Sequence, residues 1–500
     1  MTESFVHKEL SKLNPHKGTG LDLMPARFLK DASEFIKTPL TYIVNLSIKS
    51  NTFPTDMKQA RITPLFKKNS KFNVGNYRPV SVLSVCSKVL EKAVNKQLYE
   101  YLSSNNILFE FQSGFRSSYS TDTCLIYLQD YIRSQTAKGN YTGMILLDIQ
   151  KAFDCVDHNL LCRKLEAMGL KSAAWFRSYL HNREQKVIVN GIESSKCKLV
   201  CGVPQGSILG PLLFLCYMND MPNSIKIPLF QYADDSALLY SSKNLSDIET
   251  VLTCNINECY DWLVDNKLSM HPGKTELILF GSKSKLKKVK NYKIECQGHV
   301  IYATNCVKYL GVLLNQTLSG EEIVTSVMKK VHAKISFLYR QASFFDLKTK
   351  KMLCAALVLP HFDYSICSWY TSLNKYHQKK LQVAQNKIVR FILNYHPRTH
   401  LIQNDFCLTG LLSMQDRAQQ LRLNHMYAVY NKTCPQYMLN LFTRLSDMYQ
   451  IETRGNACNF YIPKVNTVSI KAFYYTGVKD WNNLPLYINL CQIKLVSKKL

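Results

Sequence analysis

Acidic side chains are scarce in this 500-residue chain. Asp and Glu number 36 against 63 Lys and Arg, a formal charge of +27. A chain that basic most often meets a polyanion, nucleic acid before a membrane surface. Long apolar runs are missing too. No stretch approaches the roughly 18 continuous apolar residues of a membrane span; the longest, Ile208–Met218 and Met352–Pro360, fall short, so no membrane partner is expected. The opening residues Met1 to Leu10 lack the basic-then-apolar layout of a secretion signal. Without that signal the 17 cysteines, an odd number, read as reduced thiols of an intracellular, soluble chain, with nucleus and cytoplasm both open. The closest pair, Cys197 and Cys201, has no neighbouring Cys/His set to complete a zinc knuckle. Internal repeats and long low-complexity linkers are also lacking.

What is present suits a sizeable core: 46% of the residues are apolar, and the length suggests more than one domain. Pro25 opens an apolar-periodic helix reaching about Val44, after a Gly18-Thr19-Gly20 loop. Ala60–Phe66 alternates like a strand, then Lys67-Lys68, a polar link and Asn76-Tyr77-Arg78-Pro79 make a hairpin with cations on both arms. That pattern is either a solvated turn or a clamp on phosphates. Val89, Leu90, Ala93, Val94, Leu98 and Leu102 mark a helix over Ser87–Leu102. Gly143–Ile149 reads as a buried strand, and Asp157 caps a helix that Gly169 ends. Asn190-Gly191 marks a hairpin between Lys186–Val189 and the Cys197–Cys201 segment. Ser246–Asn266 is an amphipathic helix, Val307–Leu313 a strand, and after about residue 315 basic helical segments dominate, Val324–Phe344, Lys348–Leu359, His377–Leu393 and Met414–Tyr430 among them.

Three carboxylates carry the chemistry. Leu229–Tyr240 reads as a hairpin with Asp234 and Asp235 at its tip. Taken alone, that is a wet turn. Asp148 is different, since a core strand rarely holds an acid without a partner or a metal. Hard oxygen ligands of this kind suit Mg²⁺. Two such ions about 3.5–4 Å apart run an in-line phosphoryl transfer, with Lys67 or Lys68, Arg78 and Lys274 adding positive charge around the phosphates. The loop Gly202-Val-Pro-Gln205-Gly206-Ser207-Ile-Leu-Gly210 is richer than a plain strand-to-helix connection needs, and Gln205 offers both a donor and an acceptor there.

The order Leu147-Asp148-Ile149-Gln150-Lys151-Ala152-Phe153-Asp154, Gly202–Gly210, Tyr232-Ala-Asp-Asp235, Gly273-Lys274-Thr275 and Lys308-Tyr-Leu-Gly311 resembles the palm motifs of reverse transcriptases. It is most similar to those of non-LTR (LINE-type, jockey-like) retrotransposons. Asn76–Pro79 and Phe111–Arg116 resemble their fingers motifs, Lys17–Asp22 the extension before the fingers, and Arg454–Pro485 the tail of several such elements. The resemblance covers most of residues 10–315.

It implies an α+β right-hand polymerase, with fingers, a palm built on an antiparallel sheet, a helical thumb and a C-terminal extension. Residues 1–45 would precede the fingers, 46–315 form fingers and palm, 316–445 the thumb-like region and 446–500 the extension. Asp148, Asp234 and Asp235 would be the catalytic carboxylates and, with the Ile149 carbonyl, hold two Mg²⁺ ions, with Mn²⁺ as a substitute. Lys274 would give a proton to pyrophosphate. Lys67, Lys68, Arg78, Phe153, Gln205 and Gly206 would bind the incoming dNTP, Phe153 excluding a ribose 2′-OH. Tyr309-Leu310-Gly311 would grip the primer. The implied activity is RNA-directed DNA polymerisation, with an RNA template, a DNA primer and dNTPs as partners. No set of acids and histidines for an endonuclease is found, so a truncated element copy is expected. An inactive RNA-binding remnant is the alternative, and a DNA-templated polymerase a third option.

Overall fold

The computed structural model describes residues 1–171, 173–449 and 458–485. It is a mixed α/β chain that divides into two compact units. The first four residues of the expected tail motif, 454–457, lie outside the described residues, as do residues 486–500.

The first unit comprises residues 1–115, 148–226 and 257–271. Its sheet starts from the alternating segments expected to be strands. Gln59–Phe66 and Tyr77–Leu83 pair antiparallel, from Ala60↔Leu83 to Phe66↔Tyr77. Arg183–Val189 runs parallel to Gln59–Phe66. It then turns at Asn190-Gly191, with φ +51° and +81°, into Ile192–Glu193. Two positive φ values define the hairpin turn that Asn-Gly favours. Cys197–Leu199 pairs with the other end of the same strand, Arg183↔Leu199. The Val85–Ser104 helix buries the apolar stripe read from its spacing. The helix Leu209–Met218 is apolar on every side, and all of it but Pro211 is buried, as such a helix must be. Asp157 caps the helix His158–Ala167 by accepting from the Asn159 and Leu160 amides. The helix expected from Pro25 to Val44 is two helices, Ala26–Asp31 and Ser33–Ser50, parted at Ala32 where no glycine or proline stands.

The second unit comprises residues 116–147, 227–256 and 272–500. Its sheet has the order Lys293–Cys296, His299–Thr304, Glu276–Phe280, Tyr141–Leu147, Asp235–Ser242, Leu229–Tyr232. Every pairing is antiparallel except His299–Thr304 against Glu276–Phe280. Tyr141–Leu147 lies at the centre and is buried along its whole length, which explains the continuous apolar run Met144–Leu147. A Cβ on Gly143 would sit 2.5 Å from Leu252 and 2.7 Å from Ile248, so the helix Leu245–Asp265 comes against the sheet there. The strand expected over Val307–Leu313 is a hairpin, Cys306–Tyr309 with Val312–Asn315. Its turn is Leu310-Gly311, with φ +44° and +82°.

Basic helices follow, among them Glu321–Arg340, Leu347–Leu357, Lys375–Leu393 and Met414–Tyr430. The C-terminal helix Phe473–Asn482 is part of this unit, tied down by a buried carboxylate. Asp130, on the helix Thr121–Ala137, accepts from the Phe473 and Tyr474 amides, both at 2.9 Å. No helix of the described residues is long and apolar enough to cross a membrane.

Candidate active site

The acidic hairpin pairs Leu229–Tyr232 with Asp235–Ser242, ending at Tyr232↔Asp235. The turn is therefore Ala233-Asp234, one residue earlier than the sequence suggests, and Asp235 opens the second strand. Tight hairpins need a positive φ at the first turn residue, and Ala233 supplies it at +57°. A glycine would have marked this position in the sequence; an alanine hides it. Asp234 is half-buried and Asp235 exposed. On the central strand, Leu147 pairs with Ser236. Asp148 follows Leu147 and Asp235 precedes Ser236, so each acid is one peptide bond from that register pair.

In the first unit, half-buried Asp148 leads into a pinned segment. Ile149 bridges Met270 in antiparallel fashion. The flanking hydrogen bonds run from Gln150 N to Ser269 O, at 2.8 Å, and from His271 N to Asp148 O, at 3.0 Å. Neither uses the Ile149 carbonyl. Lys151 then takes φ +45° and starts the tight turn Ala152–Asp154. Phe153 stacks on Phe214 with ring centres 4.2 Å apart and planes 20° off parallel. Phe115 meets it edge-on at 6.0 Å. Two aromatic neighbours leave that ring little rotational freedom.

The glycine-rich loop is sewn to this turn. The Val203 amide donates to Phe153 O at 2.9 Å, and Gly202 N to Val156 O at 2.8 Å. His158 Nε2 reaches Gly202 O at 2.8 Å, and burial pushes its imidazole below the ordinary histidine range. Gln205 donates its side-chain amide to Asp154 Oδ1 at 2.8 Å, while its backbone carbonyl accepts from Ser81 N at 2.6 Å. Gly206 has φ +116°, and a Cβ there would sit 2.5 Å from Ser81 O, so the approach of loop to strand requires glycine. A cleft of about 250 Å³ opens beside this junction, lined by Pro79, Ser81, Lys151, Asp154, Arg183 and Gln205 among others. Thus Phe153, Gln205 and Gly206 come together, with Asp154 as a partner that residue type alone did not single out.

Other expected site residues stand apart from that cleft. Lys67, Lys68 and Arg78 are exposed on the Gln59–Phe66 and Tyr77–Leu83 hairpin, where Arg78 pairs with Leu65, and none of the three lines the cleft. Lys274 is exposed and closes the short turn Pro272–Lys274 just before the Glu276–Phe280 strand. Tyr309 is buried, with its hydroxyl 3.9 Å from Cys124 Sγ; burial raises its pKa far above the phenol range. Tyr364 donates to Leu310 O at 2.7 Å and covers Gly311, where a Cβ would lie 3.2 Å from its ring. The hairpin turn Leu310-Gly311 is thereby fixed in place. Among the described residues, no three His, Cys, Asp or Glu side chains converge as a ready-made metal cage.

Comparison with known proteins gives this arrangement a context. The family model described as reverse transcriptase (RNA-dependent DNA polymerase) matches residues 66–314. The chain is 28% identical over 421 residues to the RNA-directed DNA polymerase from mobile element jockey of Drosophila funebris, covering 81% of this chain and 45% of that one. It is 25% identical over 441 residues to the jockey enzyme of Drosophila melanogaster, covering 85% and 47%. Over 212 residues it is 27% identical to the retrovirus-related Pol polyprotein from type-1 retrotransposable element R2 of Popillia japonica, covering 39% and 29%. The chain spans a little under half the length of the two jockey relatives.

Proposed function

As residues 66–314 belong to the reverse transcriptase family, in company with jockey-like non-LTR retrotransposon enzymes, we propose that this chain adds dNTPs to a primer 3′-OH on an RNA template. One observation carries the reading. The register pair Leu147↔Ser236 is bonded directly to Asp148 on one strand and to Asp235 on the other, with Asp234 next in line. Carboxylates so encoded at the ends of two neighbouring strands suit a reaction that needs hard anionic ligands and a polyphosphate substrate.

A reverse transcriptase domain implies a divalent cation, usually Mg²⁺. The donor set fits it. Mg²⁺ is held by one or two carboxylates and completes its shell with water and substrate phosphates, so a closed protein cage is not needed. Asp148, Asp234 and Asp235 would hold it, and the Ile149 carbonyl, left out of the bridge to Met270, is available as a further oxygen. When bound, the ion lowers the pKa of the attacking hydroxyl and neutralises the leaving pyrophosphate.

The chain's own groups supply the rest. Phe153, wedged between Phe214 and Phe115, presents a ring that cannot swing aside for a 2′-OH. Gln205, held by Asp154 and Ser81, contacts the incoming nucleotide. Lys67, Lys68 and Arg78 contribute positive charge to its phosphates. Lys274 donates a proton to departing pyrophosphate. Tyr309, Leu310 and Gly311 hold the primer strand. We assign residues 46–315 to fingers and palm and 316–445 to the thumb, which tracks the template–primer backbone with its basic helices.

The test is primer extension on matched RNA and DNA templates with Mg²⁺ and each dNTP. The expected result is extension on RNA. RNA binding that weakens with salt, but without incorporation, supports an inactive remnant; extension on DNA alone supports a DNA-templated polymerase.

A further inference from the structure

Glu91 carries a carboxylate into the apolar core of the first unit. It is fully buried on the Val85–Ser104 helix, in phase with Ser87, Leu90, Val94 and Leu98. A buried carboxylate survives only when its oxygens are occupied. Here both are. Oε2 accepts from the Ile208 amide at 2.6 Å and the Leu209 amide at 3.4 Å. Oε1 accepts from Tyr179 Oη at 3.2 Å and Ser87 Oγ at 3.3 Å. Burial raises the carboxyl pKa, and Arg183, the Ile208 and Leu209 amides and the Tyr179 hydroxyl work against that rise.

The two amides open the helix Leu209–Met218, where donors have no intrahelical partner. They also stand three and four residues after Gln205. On its other side, the loop is anchored through Val203 N to Phe153 O and through Gln205 O to Ser81 N. Asn95, one turn along from Glu91, adds a bond from its side-chain amide to Ile208 O at 3.3 Å. Gln205 therefore sits on a short loop latched at both ends, and the latch after it is a side chain of the Val85–Ser104 helix.

We infer that Glu91 is a positioning residue, fixing the Gln205–Ser207 loop so that Gln205 meets the incoming nucleotide. The inference rests on the reading of Gln205 as a nucleotide contact. It acts through acceptor geometry. Glutamine at 91 can turn its carbonyl oxygen to the two amides and its NH₂ to the Tyr179 and Ser87 hydroxyls, which can accept as well as donate. Leucine at 91 fills similar volume and leaves both amides without a partner.

Two measurements test this on the full chain. In hydrogen exchange, Glu91→Leu is expected to speed exchange across residues 203–209 at least tenfold, with Glu91→Gln close to wild type, the size expected for losing hydrogen bonds to a charged group, about 1.5–3 kcal/mol. In primer extension, E91L is expected to raise KM for dNTP about tenfold or more by the same reasoning, with kcat changed far less. Tyr179→Phe leaves both amide bonds in place and is expected to keep the wild-type KM. Unchanged exchange over 203–209 in E91L overturns the inference whether or not the chain polymerises. So does an E91Q variant as disturbed as E91L. An active E91L enzyme with wild-type KM overturns it as well. A wild-type chain with no extension removes the polymerase reading, while the exchange arm still decides the latch.

Discussion

Removing the Asp130 carboxylate should loosen the second unit more than any surface change. Asp130 is 2% exposed and Arg133, one turn on, is 4% exposed. Asp130 takes the Phe473 and Tyr474 amides, both at 2.9 Å, and lies 3.4 Å from Arg133 Nη1. Arg133 Nη2 donates to Gln129 Oε1, Ser368 O and Ser372 Oγ at 3.0, 3.1 and 2.7 Å. Three separate chain segments thus meet at one buried ion pair. Asp130→Ala strands a buried guanidinium and two helix-opening amides, a loss of about 3–5 kcal/mol. Against a total stability of about 5–15 kcal/mol for a typical protein, that is a large share. Urea unfolding followed through Trp481, fully buried on the helix whose first amides are freed, reads the loss. The double variant Asp130→Ala/Arg133→Leu should cost clearly less than the sum of the singles, because no lone charge remains buried. A D130A cost below about 1 kcal/mol, or strict additivity in the double variant, refutes the reasoning.

Phe153→Val should relax discrimination against ribonucleotides by about 10–200-fold, the value of one methylene-sized contact, read as kcat/KM for dCTP over CTP; an unchanged ratio removes Phe153 from that role. His425 offers a pH test. Burial alone would lower its pKa, but Asp122, whose Oδ2 lies 3.7 Å from Nε2, and Cys367 outweigh it and hold it up at about 10. A base raised in the folded state stabilises fully below its ordinary value of 6.5 and loses that contribution as pH rises through about 10. The urea midpoint should therefore fall across that window, and His425→Gln should flatten the fall; equal slopes for the two proteins would falsify the assignment.

Much of this was legible in the sequence. The Val85–Ser104 stripe, the all-apolar Leu209–Met218 helix and the Asn190-Gly191 turn follow from period, length and turn chemistry. Other features left no local mark. The acidic turn rests on a positive φ at Ala233, and the Leu310-Gly311 turn is only two residues long, one of them apolar, inside a strand-like stretch. Asp130 and Phe473 are 343 residues apart, so nothing near either one announces the pair. Glu91 did leave a signal. A carboxylate in phase with Leu90, Val94 and Leu98 is an acid on the buried side of its helix, and such an acid asks for a partner.

The most direct measurement is single-turnover extension of a DNA primer on an RNA template with Mg²⁺, comparing wild type with Asp148→Asn, Asp234→Asn and Asp235→Asn, each checked for an unchanged urea midpoint. Extension by the wild type and its loss, by at least about a thousandfold, in each folded variant is what ligands of the reacting centre require. Extension at comparable rates by any one of these variants would contradict a site built on these three acids.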